Sequence, residues 1–312
     1  MTVHIIEPTR ASLHGHFSRD LAPVVTIDSG DTVRVRTLDG GWHLEGAPLD
    51  GSPWRRFEPR DPGLDSGHAL CGPIAVRGAE PGMALEIELM AIVPGSWGWT
   101  RAGGWSSPVN MRLGVDRGGE ELLVWSIDPS NGVAHDQHGH QVSIRPFMGV
   151  IGTTPPEPGI QSTIPPRRWG GNMDCRELVA GTRLLLPVGV PGALLSLGDG
   201  HAAQGDGEVS GLGIECPMER VELRLTRRDD LHVQGPIAET PVGTVALGFG
   251  DTLDDAALAA LDGMLGVMEA RLGVGRKRAL ALASAVVDLR ITQIVNGIVG
   301  VHAVLPTGAL RG

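Results

Sequence analysis

The sequence predicts a mainly β protein, an N-terminal and central β-sandwich or distorted barrel with a smaller α+β C-terminal region. Three observations carry this reading. Short runs of alternating apolar and polar residues recur, with turn residues between them, from the N-terminus to well past the middle of the chain. Glycine and proline are abundant, at 46 and 23 of 312 residues, and aromatic residues make up only 4%, so tight turns and irregular connections should be frequent. A sustained helical period first appears beyond residue 250.

From Val24 to Thr37 the chain alternates, with Val25, Ile27, Val33 and Val35 on one face and a Ser-Gly-Asp turn between two runs, which predicts a hairpin. Asp39, Gly40 and Gly41 follow in a loop with Trp42 and His43, and residues 44–66 read as a long surface excursion. Pro73 to Val76 and Ala84 to Ile92 are two further strand runs. Residues 94–120 hold Trp97, Trp99 and Trp105 among glycines, with no period to assign but a composition suited to walling a pocket. Leu122 to Ile127 and Val142 to Ile144 are strands on either side of a polar loop carrying His135, His138 and His140.

Helix is expected at residues 252–272, where Leu253, Ala257, Leu261, Met264, Leu265, Met268 and Leu272 form one stripe. Thr252 with Asp255 supplies an N-cap, and Gly273 a stop. A second, alanine-rich helix is expected from Arg278 to Val287, followed by strand runs in DLRITQIV and VHAVL. These divisions suggest an N-terminal β domain at 1–145, a central β segment at 146–235 and an α+β region at 236–312.

Composition excludes several functions. With 26 basic and 36 acidic residues the net charge is −10, which disfavours nucleic acid or an anionic membrane as partner. No run approaches the roughly 18 apolar residues of a membrane span, and no signal peptide opens the chain. Cys71, Cys175 and Cys216 are odd in number and none lies in a C-x-x-C pair, which fits a reducing, cytoplasmic setting. The single lysine, Lys277, sits in an Arg-Lys-Arg run and reads as solvated, so mechanisms that need a desolvated lysine lose their residue. Neither a G-x-S-x-G elbow nor a phosphate-binding glycine loop in a strand-to-helix context occurs.

The chemistry is expected in residues 146–215. Asp199, His201, Asp206 and Glu208 fall within ten positions among Gly198, Gly200, Gly205 and Gly207. If the apolar run Ala193 to Leu197 continues as a strand, Asp199 and His201 leave the same face and offer one ion a carboxylate and an imidazole.

The segments PFMGVIGTTP (146–155), the stretch 165–215 with its GGN-x-D and GD-x-HA-x-QGDGE motifs, GPIAVRGAEPGMALEIEL (72–89) and DLRITQIVNGIVGVHAVLP (288–306) resemble the acetamidase/formamidase family of amide hydrolases. The resemblance spans most of the chain. It implies a largely β fold and a divalent metal, commonly zinc, held by acidic and histidine side chains. The implied reaction cleaves the carbon–nitrogen bond of a short linear amide to a carboxylate and ammonia, and a homodimer or larger assembly goes with it. The tryptophan-rich segment 94–120 departs from the family pattern and leaves acyl-chain specificity open.

Within that frame Asp174, Asp199 and His201 are the expected ligands, with Asp39 a further candidate. Asp174 has an alternative as a helix cap. Glu208 is the expected general base, and Asp206 is either a ligand or a turn residue. Asn172 with the backbone amides of Gly170 and Gly171 offers oxyanion donors, and Gln204 a group to orient the substrate amide. His68 and His43, in glycine-bearing loops, are weaker candidates, and the His135, His138 and His140 loop reads as polar surface. A contrasting reading is a non-catalytic β-sandwich in which the same acidic loop holds calcium, as a structural ion.

Overall fold

A computed structural model describes residues 2–50 and 52–310. Two large sheets organise it. The nine-stranded sheet runs, in spatial order, Val3–Ile6, Thr32–Val35, Met218–Arg228, Ala84–Pro94, Arg183–Pro187, Ile237–Thr240, Gly243–Gly250, Val299–Pro306 and Asp288–Gln293. The eleven-stranded sheet is built on the path Glu121–Asp128, Trp97–Ala102, Glu215–Cys216, Leu195–His201, Phe147–Gly152 and Gly170–Asn172, with Leu70–Val76 paired to Leu195–His201 as a branch. Strands from all three stretches of sequence interleave in the nine-stranded sheet.

The strand alternation read from the sequence is what builds the core. Leu85, Ile87, Leu89, Val221 and Leu223 of one sheet and Ile74, Met148, Ile151, Leu195 and Leu197 of the other belong to one continuous buried cluster. The mainly β expectation therefore holds, with helix confined to three segments among the described residues.

The hairpin expected at 24–37 does not form. Val25–Ile27 and Thr32–Val35 are both strands, but the first pairs in parallel with Leu70–Val76 and the second with Val3–Ile6 and Met218–Arg228. The Ser-Gly-Asp turn passes between the sheets, and the Gly30 amide donates to the carbonyl of Leu225. Periodicity placed the apolar faces correctly. It carries no information on which neighbour each strand takes. Residues 94–120 prove more regular than their composition suggested, with a strand at Trp97–Ala102 and a helix at Pro108–Leu113.

The C-terminal helices form where expected, at Leu253–Leu272 and Arg276–Val286. Thr252 accepts from the Asp255 amide, and Gly273 closes the first helix in the left-handed conformation, so both cap signals are realised. The buried stripe is Ala256, Ala260, Met264, Leu265 and Met268, rotated from the expected one, and Leu253 and Leu272 lie at exposed ends. Small residues win the centre because the helix lies against the sheet backbone: a Cβ on Gly248 would come 2.1 Å from the Ala260 amide nitrogen. No helix among the described residues is long and apolar enough to cross a membrane.

This packing predicts a contrast within one helix. Met264→Ala should cost about 2–5 kcal/mol in urea unfolding, whereas Leu258→Ala, on the exposed face, should stay within about 0.5 kcal/mol.

Candidate metal centre and pocket

The strand Leu195–His201 is buried along its whole length between Phe147–Gly152 and Glu215–Cys216. The apolar run does continue as a strand through Asp199 and His201, whose side chains come together, but with an irregular backbone at Asp199. Asp199 adopts φ +55, as do Asp174 at φ +48 and Glu208 at φ +46, three acidic residues in the left-handed region. Left-handed backbone in non-glycine residues is sustained only when surroundings enforce it, and it gathers at functional sites.

Enforcement comes from close packing. A Cβ on Gly40 would come 2.0 Å from Asp199 Oδ1, and one on Gly149 would crowd both Asp174 and Asp199. Glycine is required there because carboxylates occupy the space a side chain would fill.

The result is a buried cluster of acids around one imidazole. His201 Nε2 lies 3.7 Å from Asp199 Oδ2, and its Nδ1 lies 4.0 Å from Asp174 Oδ1. Glu215 Oε1 is 2.9 Å from His201 Nε2, but out of line for a hydrogen bond, and the nitrogen has no other partner. Single donor atoms of Asp174, Asp199 and His201 lie within 4.8 Å of one another, and so do those of His201, Glu208 and Glu215. Asp174 Oδ1 and Glu208 Oε2 are likewise buried without a partner. Unpaired buried acceptors are costly, and four carboxylates with one imidazole carry more negative charge than an interior tolerates. A divalent cation satisfies both conditions, and the mixed carboxylate and imidazole donors suit a first-row ion such as zinc.

The electrostatics of the chain alone express the same conflict. Burial pushes Glu208 well above the usual carboxylate range, with the Asp174 carboxylate adding to it. Burial also raises Asp174, and raises Glu215 to about 8. Burial pulls His201 down, but Glu215, Asp199 and Asp174 more than reverse this and leave it well above an ordinary histidine. Asp199, raised by burial, is brought below its usual value by His68 and His201.

A second layer holds these groups. His201 Nδ1 is 2.8 Å from Gln204 Oε1, and Gln204 Nε2 donates to the Asp174 carbonyl. Asn296 donates to Asp174 Oδ2 at 2.6 Å. Both ends of the Gln204 amide are thus spent inside the protein, which gives it a ligand-orienting place rather than one facing substrate.

Asp199, Glu208 and Glu215 of this cluster line a cavity of about 250 Å³ together with His68, Asn172 and Trp99. His68 Nε2 lies 3.9 Å from Asp199 Oδ2, and its Nδ1 lies 2.9 Å from Thr163 Oγ1. Asn172 donates to the Ile164 carbonyl and leaves Oδ1 buried and unpartnered, so as placed it faces the cavity as an acceptor. That arrangement suits an amide N–H better than an oxyanion. Gly170 and Gly171, at φ +84 and +93, pair with Phe147–Gly152 and do not line this cavity; a Cβ on Gly170 would come 2.5 Å from the Ile151 carbonyl oxygen.

Asp39 stands apart from the ion-holding groups. Its oxygens accept from the His43 amide and the Trp99 indole, and Oδ2 is 2.7 Å from His43 Nδ1. Asp206 is bonded to Arg290. Asp174 precedes a turn at Arg176 and Glu177, not a helix. His135, His138 and His140 lie on and beside the outer strand Val133–Asp136, where His140 is 2.8 Å from Asp136. Glu215 and Asn296 were missed by sequence reasoning. Glu215 ends the quoted motif stretch and was legible as one more acid in it, whereas Asn296 is distant in sequence and had no signal.

Residues 4–161 and 157–309 match the model of the Acetamidase/Formamidase family. The chain belongs to that family. It is 27% identical to the acetamidase of Mycolicibacterium smegmatis over 260 residues, 64% of this chain and 62% of that one. It is 27% identical to the formamidase of Methylophilus methylotrophus over 261 residues, 64% of this chain and 60% of the other. The alignments thus span a little under two thirds of those two relatives. The crystal structure of the acetamidase of Bacillus halodurans superimposes with a TM-score of 0.82 at 28% identity, covering 97% of each chain. The family read from the GGN-x-D and GD-x-HA-x-QGDGE motifs is the one found.

Buried groups with raised pKa values make a prediction about the protein freed of metal. A raised pKa contributes stability that is present in full below the unfolded value and is lost as pH rises through the folded one. Glu215, ordinary at 4.5 and held near 8, should therefore make the metal-free protein steadily less stable between those pH values. Urea midpoints taken from pH 5 to 8 should fall, and Glu215→Gln should flatten the slope.

Proposed function

We propose that this protein hydrolyses the carbon–nitrogen bond of short linear amides, giving a carboxylate and ammonia, with a divalent ion, zinc by preference, held by Asp174, Asp199, His201 and Glu215. The observation that carries this is the set of unpartnered, buried atoms Asp174 Oδ1, His201 Nε2 and Glu208 Oε2, in a cluster whose Asp199, Glu208 and Glu215 line a cavity sized for a small molecule. Membership of the family supports the amidase activity itself.

The ion would supply Lewis-acid polarisation of the amide carbonyl. The remaining work falls to the chain. Glu208, whose carboxyl burial holds well above the usual carboxylate range, takes the proton of the attacking water and returns it to the departing nitrogen. Asn172 Oδ1 accepts an N–H of the substrate and fixes which face of the carbonyl is presented. Gln204 and Asn296 keep the imidazole and Asp174 from turning out of register. Calcium, which prefers about six to eight oxygen ligands, suits a donor set with an imidazole nitrogen less well.

Ammonia release from formamide, acetamide and longer amides should vanish on chelation and return with zinc. No release from any amide, with one tightly held calcium and no zinc, would sink the catalytic reading in favour of a structural ion. Glu208→Gln should lower kcat by about 10²–10⁴-fold while the zinc content stays at that of the parent. Zinc lost together with activity would make Glu208 a ligand rather than the base.

A further inference from the structure

The outer part of the same cavity has a charge the hydrolysis of acetamide does not use. Arg56, Arg60 and Arg101 line it, three guanidiniums around one small opening in a chain of net charge −10. The acids Asp199, Glu208 and Glu215 are buried, whereas Arg56 and Arg101 are exposed and Arg60 is half-buried, so the cavity is acidic inside and basic at its entrance.

Several half-buried arginines are matched to carboxylates at hydrogen-bond distance, Arg290 to Glu177 at 2.8 Å and Arg224 to Glu88 at 2.9 Å. Neither Arg56 nor Arg60 has a carboxylate at that distance among the described residues. Arg56 spends only its Nε, on His43 Nε2 at 3.1 Å, and forms no salt bridge among the described residues. Arg60 makes no side-chain hydrogen bond among the described residues; its Nε is buried with no partner, and the exposed Glu58 carboxylate lies at 3.6 Å. Its guanidinium is held over the Trp42 ring, 5.7 Å from the centroid, and that of Arg101 over Trp99 at 5.5 Å. Stacking on indole orients the planar fork and strips part of its water, the preparation that bidentate binding of a carboxylate needs. Arg101 is also paired with Glu120 at 3.4 Å, so it adds to the field more than it offers a free fork.

We propose that the substrate carries a carboxylate on its acyl chain, an ω-amido acid of about three to five carbons as the cavity volume allows, with its amide at the acidic inner end and its carboxylate received by Arg56 and Arg60. This inference rests on the hydrolytic reading above and names its substrate class. A neutral amide leaves these two forks without an acceptor. A carboxylate supplies one to each, and its charge complements the entrance it must pass.

The test compares succinamate with 4-methylpentanamide, which has the same shape but an isopropyl group in place of the carboxylate, on the zinc-loaded protein. Charge-assisted recognition of the carboxylate should give succinamate the higher kcat/KM by about 30-fold or more. The preference should shrink with added salt. In Arg60→Gln and Arg56→Gln the ratio of the two substrates should fall about tenfold or more, chiefly through the KM of succinamate. Calorimetric titration of Glu208→Gln with the two amides should show the same order in Kd, independent of turnover. Equal kcat/KM for the pair, or acetamide exceeding succinamate, would overturn the proposal and leave the amidase reading standing. No ammonia from any amide would overturn the hydrolytic reading and this inference with it.

Discussion

The structure depends on keeping a knot of acidic side chains out of water. Asp174, Asp199, Glu208 and Glu215 are buried around His201. Such an arrangement is expensive in a metal-free chain, because burial opposes ionisation and the carboxylates repel one another. The cation proposed above would offset that cost. The rest of the molecule reads as the means of holding these groups in place.

Those means are backbone conformation and a frame of ion pairs. Three of the acids sit on left-handed backbone, and glycines such as Gly40 stand where a side chain would displace a carboxylate. Glu177, three residues after Asp174, is buried and bonded to both Arg145 and Arg290, and Arg290 also bonds Asp206, two residues before Glu208. Arg290 lies on Asp288–Gln293, and the neighbouring Thr292 carbonyl accepts from the Gly207 amide. The C-terminal strand therefore pins the loop that carries Glu208 to the turn that carries Asp174. This paired frame costs less than the acids at the centre, because its charges meet opposite charges with good geometry.

The cavity above this frame is asymmetric in a way that divides binding from chemistry. Its inner end is built from the motif stretch and the C-terminal Asn296, and its outer end from the excursion 44–66 and the strand Trp97–Ala102. Placing the two ends on separate segments lets the entrance change without disturbing the groups of the inner end.

The sequence by itself determined the strand-rich class, the apolar faces of the strands, the two C-terminal helices with their caps, and the family. Each is written in local order: a two-residue or 3.6-residue period, a capping pair, or a long contiguous motif. It also brought Asp174, Asp199, His201 and Glu208 forward, because they lie in that motif. Tertiary structure decided which strands pair, and so undid the hairpin at 24–37, whose two halves fall in different sheets. It decided that Gln204 faces the ligands, that Asp39 is taken up by His43 and Trp99, and that Asn296 and the arginines of the entrance belong to the site. Spacing along the chain fixes what lies within a turn or on one face. Contacts between residues more than a hundred positions apart, such as Asn296 with Asp174, exist only once the sheets have packed and no local pattern encodes them.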